Sequence, residues 1–175
     1  MLLRHLYLFM CSWPRVLELI YWPFLNMTLW AFLSKYLAEN SNIFVIASGV
    51  LVASVIMWDT LFRGQLGVTL SFIEELWSRN LGNIAVSPLK PYELICSLIF
   101  ASFIRTLIGV GGACLAAFVL FNFQFPQVGL GFLLFFINLL IMGWALGLAI
   151  CGLLIRFGLS AETLAWAALF FIQPL

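Results

Sequence analysis

From Val128 to Ile155 the chain runs 28 residues without a single charged side chain. A helix of about 20 mostly apolar residues already crosses the hydrocarbon of a bilayer, and a run this long needs tilt or protrusion to fit. No soluble fold offers such a run enough interior. The rest of the chain agrees: 65% of its residues are hydrophobic and 9% are charged, where a soluble domain carries about 25% charged residues. Mean hydropathy is +1.14. Eight Lys and Arg against seven Asp and Glu leave a net charge of +1, so there is no basic surface for a polyanion and no nucleic acid is expected as partner. A soluble enzyme and a disordered chain are equally poor fits. The expected class is an all-α integral membrane protein whose partner is the lipid bilayer.

Five spans are expected, at about 16–37, 43–61, 95–121, 128–155 and 159–175, in one undivided transmembrane domain covering 1–175. Glu18 and Pro23 predict a kink or an interfacial first turn in the first span. The stretch from about Leu3 to Trp13 has no small-x-small cleavage site and reads as a retained interfacial helix rather than a signal peptide. With the N-terminus inside, Arg4, Arg15, Arg63, Arg79, Lys90 and Arg156 fall on the cytoplasmic side and Lys35 alone falls outside. That bias places the N-terminus and the 64–92 loop in the cytoplasm, and the turns at 38–42 and 122–127 outside.

The 64–92 loop carries the most information. Apolar residues at Val68, Phe72, Ile73, Leu76, Trp77 and Leu81 repeat as on one helix face, with Ser71, Glu74, Glu75, Ser78 and Arg79 on the other. This predicts a short amphipathic helix over 69–80, either lying under the bilayer or docking a soluble partner. Pro88 and Pro91 then break the chain before the third span. Arg105 lies about 15 Å into that span, counted from Ile95. An arginine there snorkels to the inner headgroups, or it serves a substrate path or helix packing.

Gly143, Gly147 and Cys151 form a stripe at spacing four that lets helices approach closely, and Gly109, Gly111 and Gly112 form a second small patch. Cys11, Cys96, Cys114 and Cys151 contain no C-x-x-C pair and read as apolar packing residues. His5 is the single histidine, so neither a zinc nor a haem site is expected. No P-loop pattern is present, so ATP would not be bound that way by this chain.

The segments Glu74-Glu75-Leu76-Trp77-Ser78-Arg79-Asn80-Leu81 and Ala85-Val86-Ser87-Pro88-Leu89 resemble the first cytoplasmic loop of type-2 ABC transporter permeases, the membrane subunits of bacterial ABC exporters. Arg15 to Pro23 and Trp30 are similar to bacterial members. The resemblance implies that the 69–80 helix is a coupling helix in the cleft of a separate ATP-binding subunit, with Glu74, Glu75, Trp77, Ser78 and Arg79 at the contact. It implies a dimer of permeases, as two copies or with a paralogue, in the bacterial inner membrane. It also implies outward movement of a hydrophobic, drug-like, lipid-linked or glycan substrate. This chain would hold no catalytic residue, cofactor or metal, and ATP and Mg would sit in the partner. Family members have six spans, and the sixth is not found before Pro174-Leu175. Two readings of other classes compete. One is a non-transport membrane anchor or scaffold subunit. The other is a membrane enzyme using Asp59, Arg63, Glu74 and Glu75 near one interface.

Overall fold

The computed structural model describes residues 13–40, 42–88, 90–121, 129–163 and 166–167. Every regular element among them is helical. In chain order they are α1 (Trp13–Asn40), α2 (Asn42–Trp77), α3 (Leu81–Val86), α4 (Pro91–Phe121) and α5 (Gly129–Phe157), with a 3-10 turn at Gly158–Ala161. The expected interfacial stretch at 3–13 falls outside the described residues except for Trp13. So does most of the fifth span at 159–175.

Among the described residues, two helices are long and apolar enough to cross a membrane, over Pro91–Leu115 and Leu130–Phe157. They match the expected third and fourth spans because an uninterrupted apolar run leaves little else to form. α1 continues through Pro23 and takes in most of the polar stretch expected to be a turn.

The largest departure is in α2. The second span was expected to end near Leu61 and open into a cytoplasmic loop. Instead α2 continues unbroken for 36 residues, about 54 Å at 1.5 Å per residue. No proline lies between Pro23 and Pro88 to stop it. The polar and glycine-rich stretch at 63–71 reads as a loop by hydropathy, yet residues 64–69 and 71 are buried. The 69–80 segment is therefore not a separate helix. Its first nine residues end α2, and three residues of turn follow.

α2 is the hub, packed against α1, α4 and α5. It runs antiparallel to α4: Ile56 shares a core cluster with Val110, Ser102 bonds the Gly64 carbonyl, and Phe72 and Ile73 pack with Leu98. It runs parallel to α5, because Leu61 and Gly64 meet Gly143, Val68 meets Gly147, and Phe72 and Ile73 share a cluster with Ile150 and Leu154. In α1, Met27 and Ala31 pack on Ile56 and Val110.

The backbones approach closely at these seams. A Cβ on Gly143 would lie 2.8 Å from the Leu61 carbonyl oxygen, and one on Gly147 would lie 2.9 Å from that of Gln65. The predicted stripe on α5 therefore serves packing within this chain. Small residues at a crossing let dispersion and short contacts act where large side chains would hold helices apart. Cys151 is buried in the same seam, Cys114 is half-buried and Cys96 is exposed.

Candidate functional site

Most of the buried polar side chains of the described residues lie on two helices. On α2 they are Thr60, Gln65, Thr69, Ser71 and Glu75; on α4 they are Ser97, Ser102 and Thr106. Thr60, Gly64, Gly67 and Ser71 fall at spacings of four, three and four, one face of a helix. Several hydroxyls are satisfied one turn back on their own helix: Thr60 donates to the Ile56 carbonyl at 2.8 Å, Thr69 to Gln65 at 3.0 Å and Ser71 to Gly67 at 2.8 Å. Such bonds let a small polar group sit among apolar neighbours without an orphaned donor. Ser102 instead crosses the interface and donates to the Gly64 carbonyl at 2.9 Å. A Cβ on Gly67 would come within 2.5 Å of the Ser102 hydroxyl. Thr106 Oγ1 and Trp144 Nε1 are buried in the same bundle without a hydrogen-bond partner.

Two ion pairs bracket this seam. Arg63 donates through Nε to Asp59 Oδ2 at 2.6 Å, one turn apart on α2, with side chains 10% and 13% exposed. Gly109 of α4 makes room for this guanidinium, since a Cβ there would lie 2.7 Å from Nη1. The second pair crosses helices: Arg105 Nη2 on α4 donates to Glu74 Oε2 on α2 at 3.5 Å. Side chains lean toward their own helix N-terminus. In an antiparallel pair they therefore lean toward each other, which lets residues at different heights meet. Arg105 thus contacts protein, and its side chain is directed toward the end of α2.

That end is closed by a left-handed turn. The Asn80 N–H bonds the Glu75 carbonyl at 3.1 Å and the Arg79 N–H bonds that of Leu76 at 3.0 Å. Arg79 takes φ 51°, where glycine usually stands. The Asn80 side chain donates to Glu75 Oε2 at 2.8 Å, which fastens the turn to the last turn of α2.

This corrects the expected contact set. Glu75 was expected to face the cytoplasm, but it is 1% exposed; its carboxylate is folded under the turn because Asn80 reaches back to it. Glu74 is half-buried and engaged by Arg105. Trp77 was assigned to the apolar face and is exposed, as the last residue of α2. Ser78 and Arg79 are exposed as expected. The apolar face of the segment does pack as predicted at Val68, Phe72 and Ile73, in a cluster with Leu98, Cys151 and Leu154.

Beyond the turn, α3 and the Ser87-Pro88 bend form a corner at the end of the bundle. Val86 is 90% exposed there. Ser87 Oγ closes α3 on the Ile84 carbonyl at 2.7 Å. α4 then begins at Pro91, where no backbone N–H is lost, and Glu93 Oε2 accepts the Lys90 N–H at 3.0 Å. That is half of a capping box with proline at the first helical position.

Sequence reasoning missed the roles of Gly64, Gly67 and Ser102; Gly109 was named as part of a small patch, but not as the room for Arg63. The signal was present as small residues at helical spacing on two different segments, but residues 64–71 had been assigned to a loop. Among the described residues no three His, Cys, Asp or Glu side chains converge as a metal site. Compared with protein-family models, curated proteins and solved structures, the chain matches none.

Proposed function

We propose that this chain is a multi-pass helical membrane subunit, and that it serves as the permease of an ATP-driven exporter. The observation that carries the membrane reading is the inverted distribution of polarity. Leu29 and Phe32 on α1, Leu115 on α4, and Leu130, Phe135 and Ile155 on α5 are all well exposed, while Thr60, Gln65, Thr69, Ser71, Ser102 and Thr106 lie inside and the Asp59–Arg63 and Glu74–Arg105 pairs are mostly covered. An apolar exterior on this scale is stable only against lipid or a large partner. Polar groups within a membrane bundle are expected to face its interior and to pair there.

The exporter reading rests on the resemblance of the 74–89 segment to type-2 ABC permeases. It is supported by the placement of that segment at an exposed corner. The docking surface for the ATP-binding subunit is then the corner itself, at Ser78, Arg79, Asn83 and Val86, and not the carboxylates of Glu74 and Glu75. ATP and Mg belong to the partner. The chain works as a dimer, with its N-terminus and the α2–α4 corner on the cytoplasmic side. A lipid-linked, glycan or drug-like substrate moves outward when the corners are driven together.

The test is co-expression with an ATP-binding subunit encoded beside this chain. Val86→Asp is expected to weaken docking about tenfold or more and to remove ATP-dependent transport while the chain stays in the membrane. Unchanged docking and transport overturn the assignment of the corner. A second reading, a membrane anchor or scaffold, is favoured by one observation: the polar seam is closed by glycine contacts and mutual pairing. An anchor tolerates Val86→Asp and binds its complex through other surfaces.

A further inference from the structure

We infer that the α2–α4–α5 end of the bundle carries a lipid-headgroup girdle, in which Lys90 and Arg156 hold anionic phospholipids. The inference rests on the membrane reading above but not on the exporter reading. Three helices contribute to one level. Phe72, Ile73, Leu98 and Leu154 share a core cluster, which brings these parts of the three helices together. From there Trp77 lies four residues further along α2, Tyr92 six residues back along α4, and Phe157 three residues further along α5. At 1.5 Å per residue these are about 6, 9 and 4.5 Å, all toward the same end. All three rings are exposed.

The cations stand at that level. Lys90 Nζ lies 5.8 Å from the centre of the Tyr92 ring, and the Arg156 guanidinium 5.5 Å from that of Phe157. Lys90, Arg79 and Arg156 are all exposed. The acids near them are Glu93, whose carboxylate accepts the Lys90 N–H, the half-buried Glu162, and Glu74, engaged by Arg105.

Aromatic rings beside cations, at the limit of two apolar spans, make up the chemistry of a membrane–water interface. The rings settle at headgroup level and the cations reach phosphates. The apolar windows of α4 and α5 end here too, at Pro91 and Phe157. A cytoplasmic leaflet rich in anionic lipid complements the exposed ammonium of Lys90 and guanidinium of Arg156 beside these rings, and this agrees with the basic bias that oriented the chain.

The test uses the full chain purified in neutral detergent, with phosphatidylglycerol or phosphatidylcholine added and retained lipid read by native mass spectrometry. Preferential retention of phosphatidylglycerol is expected. The preference should fall about fivefold for each cation replaced, as in Lys90→Gln, Arg156→Gln and the double variant. Neither residue belongs to the docking surface proposed for the ATP-binding subunit, so loss of one function is separable from loss of the other. Carbonate-resistant membrane association is measured in parallel. A double variant that stays in the membrane and keeps the full preference overturns the girdle, whereas a wild-type chain absent from the membrane overturns the membrane reading itself. Glycerol phosphate competing as well as the lipid would mark a free-anion site, and loss of ATP-binding-subunit docking with lipid preference intact would mark a protein surface. Either result overturns the proposal. Lys90→Gln alone, in an exposed turn residue, keeps the test informative if the double variant fails to fold.

Discussion

Arg79 shows how a single residue works against the local backbone. Its φ of 51° places a β-carbon in the left-handed region, which costs a non-glycine residue about 1 kcal/mol or slightly more. The turn is held nonetheless, because the Asn80 and Arg79 N–H groups close on Glu75 and Leu76. Arg79→Gly should therefore stabilise the folded chain by up to about 1 kcal/mol, offset in part by the greater freedom of glycine in the unfolded chain. A rise in the thermal unfolding midpoint in detergent is the expected result, and a fall would show that the guanidinium contributes more than the strain costs. The Glu74–Arg105 pair makes the opposite case. Both side chains are mostly covered, at 22% and 12% exposed, so removing one carboxylate leaves a cation poorly solvated. Glu74→Gln should cost about 2 kcal/mol. The exchanged pair Glu74→Arg with Arg105→Glu should recover part of that loss, as read by a double-mutant cycle of unfolding midpoints.

At the scale of elements, the glycines divide into two groups that sequence alone does not separate. Gly143 meets the backbone of Leu61 and Gln65, whereas Gly152 on the same helix has nothing within 4 Å of where a Cβ would go. Gly143→Ala should cost about 1–3 kcal/mol, since α2 and α5 must part to admit the methyl. Gly152→Ala should be neutral or stabilising by up to about 1 kcal/mol, because the helix gains a better former. Midpoints of thermal unfolding that move together in the two variants would show that the α2–α5 seam is looser than described. The same contrast explains what the sequence made legible. α4 and α5 could be placed to within a few residues because long apolar runs, the Pro91 start and Arg156 at the far end all agree. The continuation of α2 could not be, because hydropathy falls at Arg63, Gly64, Gln65 and Gly67 for two different reasons. In a loop, such residues meet water. Here they let α4 and α5 close onto the helix, and the hydroxyls and charges are satisfied by Gly64, Gly67, Ile56 and Asp59. The apolar side of 68–73 was legible from its period, while the burial of Glu75 depended on the side chain of Asn80, which periodicity does not represent.

For the whole molecule, the placement of the charges and the length of α2 lead to one topological expectation. α2 is about 54 Å long, so its first residue, Asn42, and the corner beyond Trp77 lie at opposite ends of the bundle. The parallel course of α5 puts Arg156 and Phe157 at the corner end, and the antiparallel course of α4 puts Pro91 there. Arg79, Lys90 and Arg156 thus gather on one side, and basic residues beside spans are retained in the cytoplasm. Single cysteines introduced as Ile84→Cys and Asn40→Cys, in a chain whose own four cysteines are replaced by alanine, report the two ends. A membrane-impermeant maleimide added to intact cells should label position 40 and leave position 84 untouched until the membrane is opened. Labelling of 84 alone would invert the molecule and put the proposed docking corner and headgroup girdle on the outer face, where no ATP-binding subunit could reach them. Labelling of both from outside would mean that α2 does not cross the bilayer, and the inverted distribution of polarity would then need a large protein partner in place of lipid.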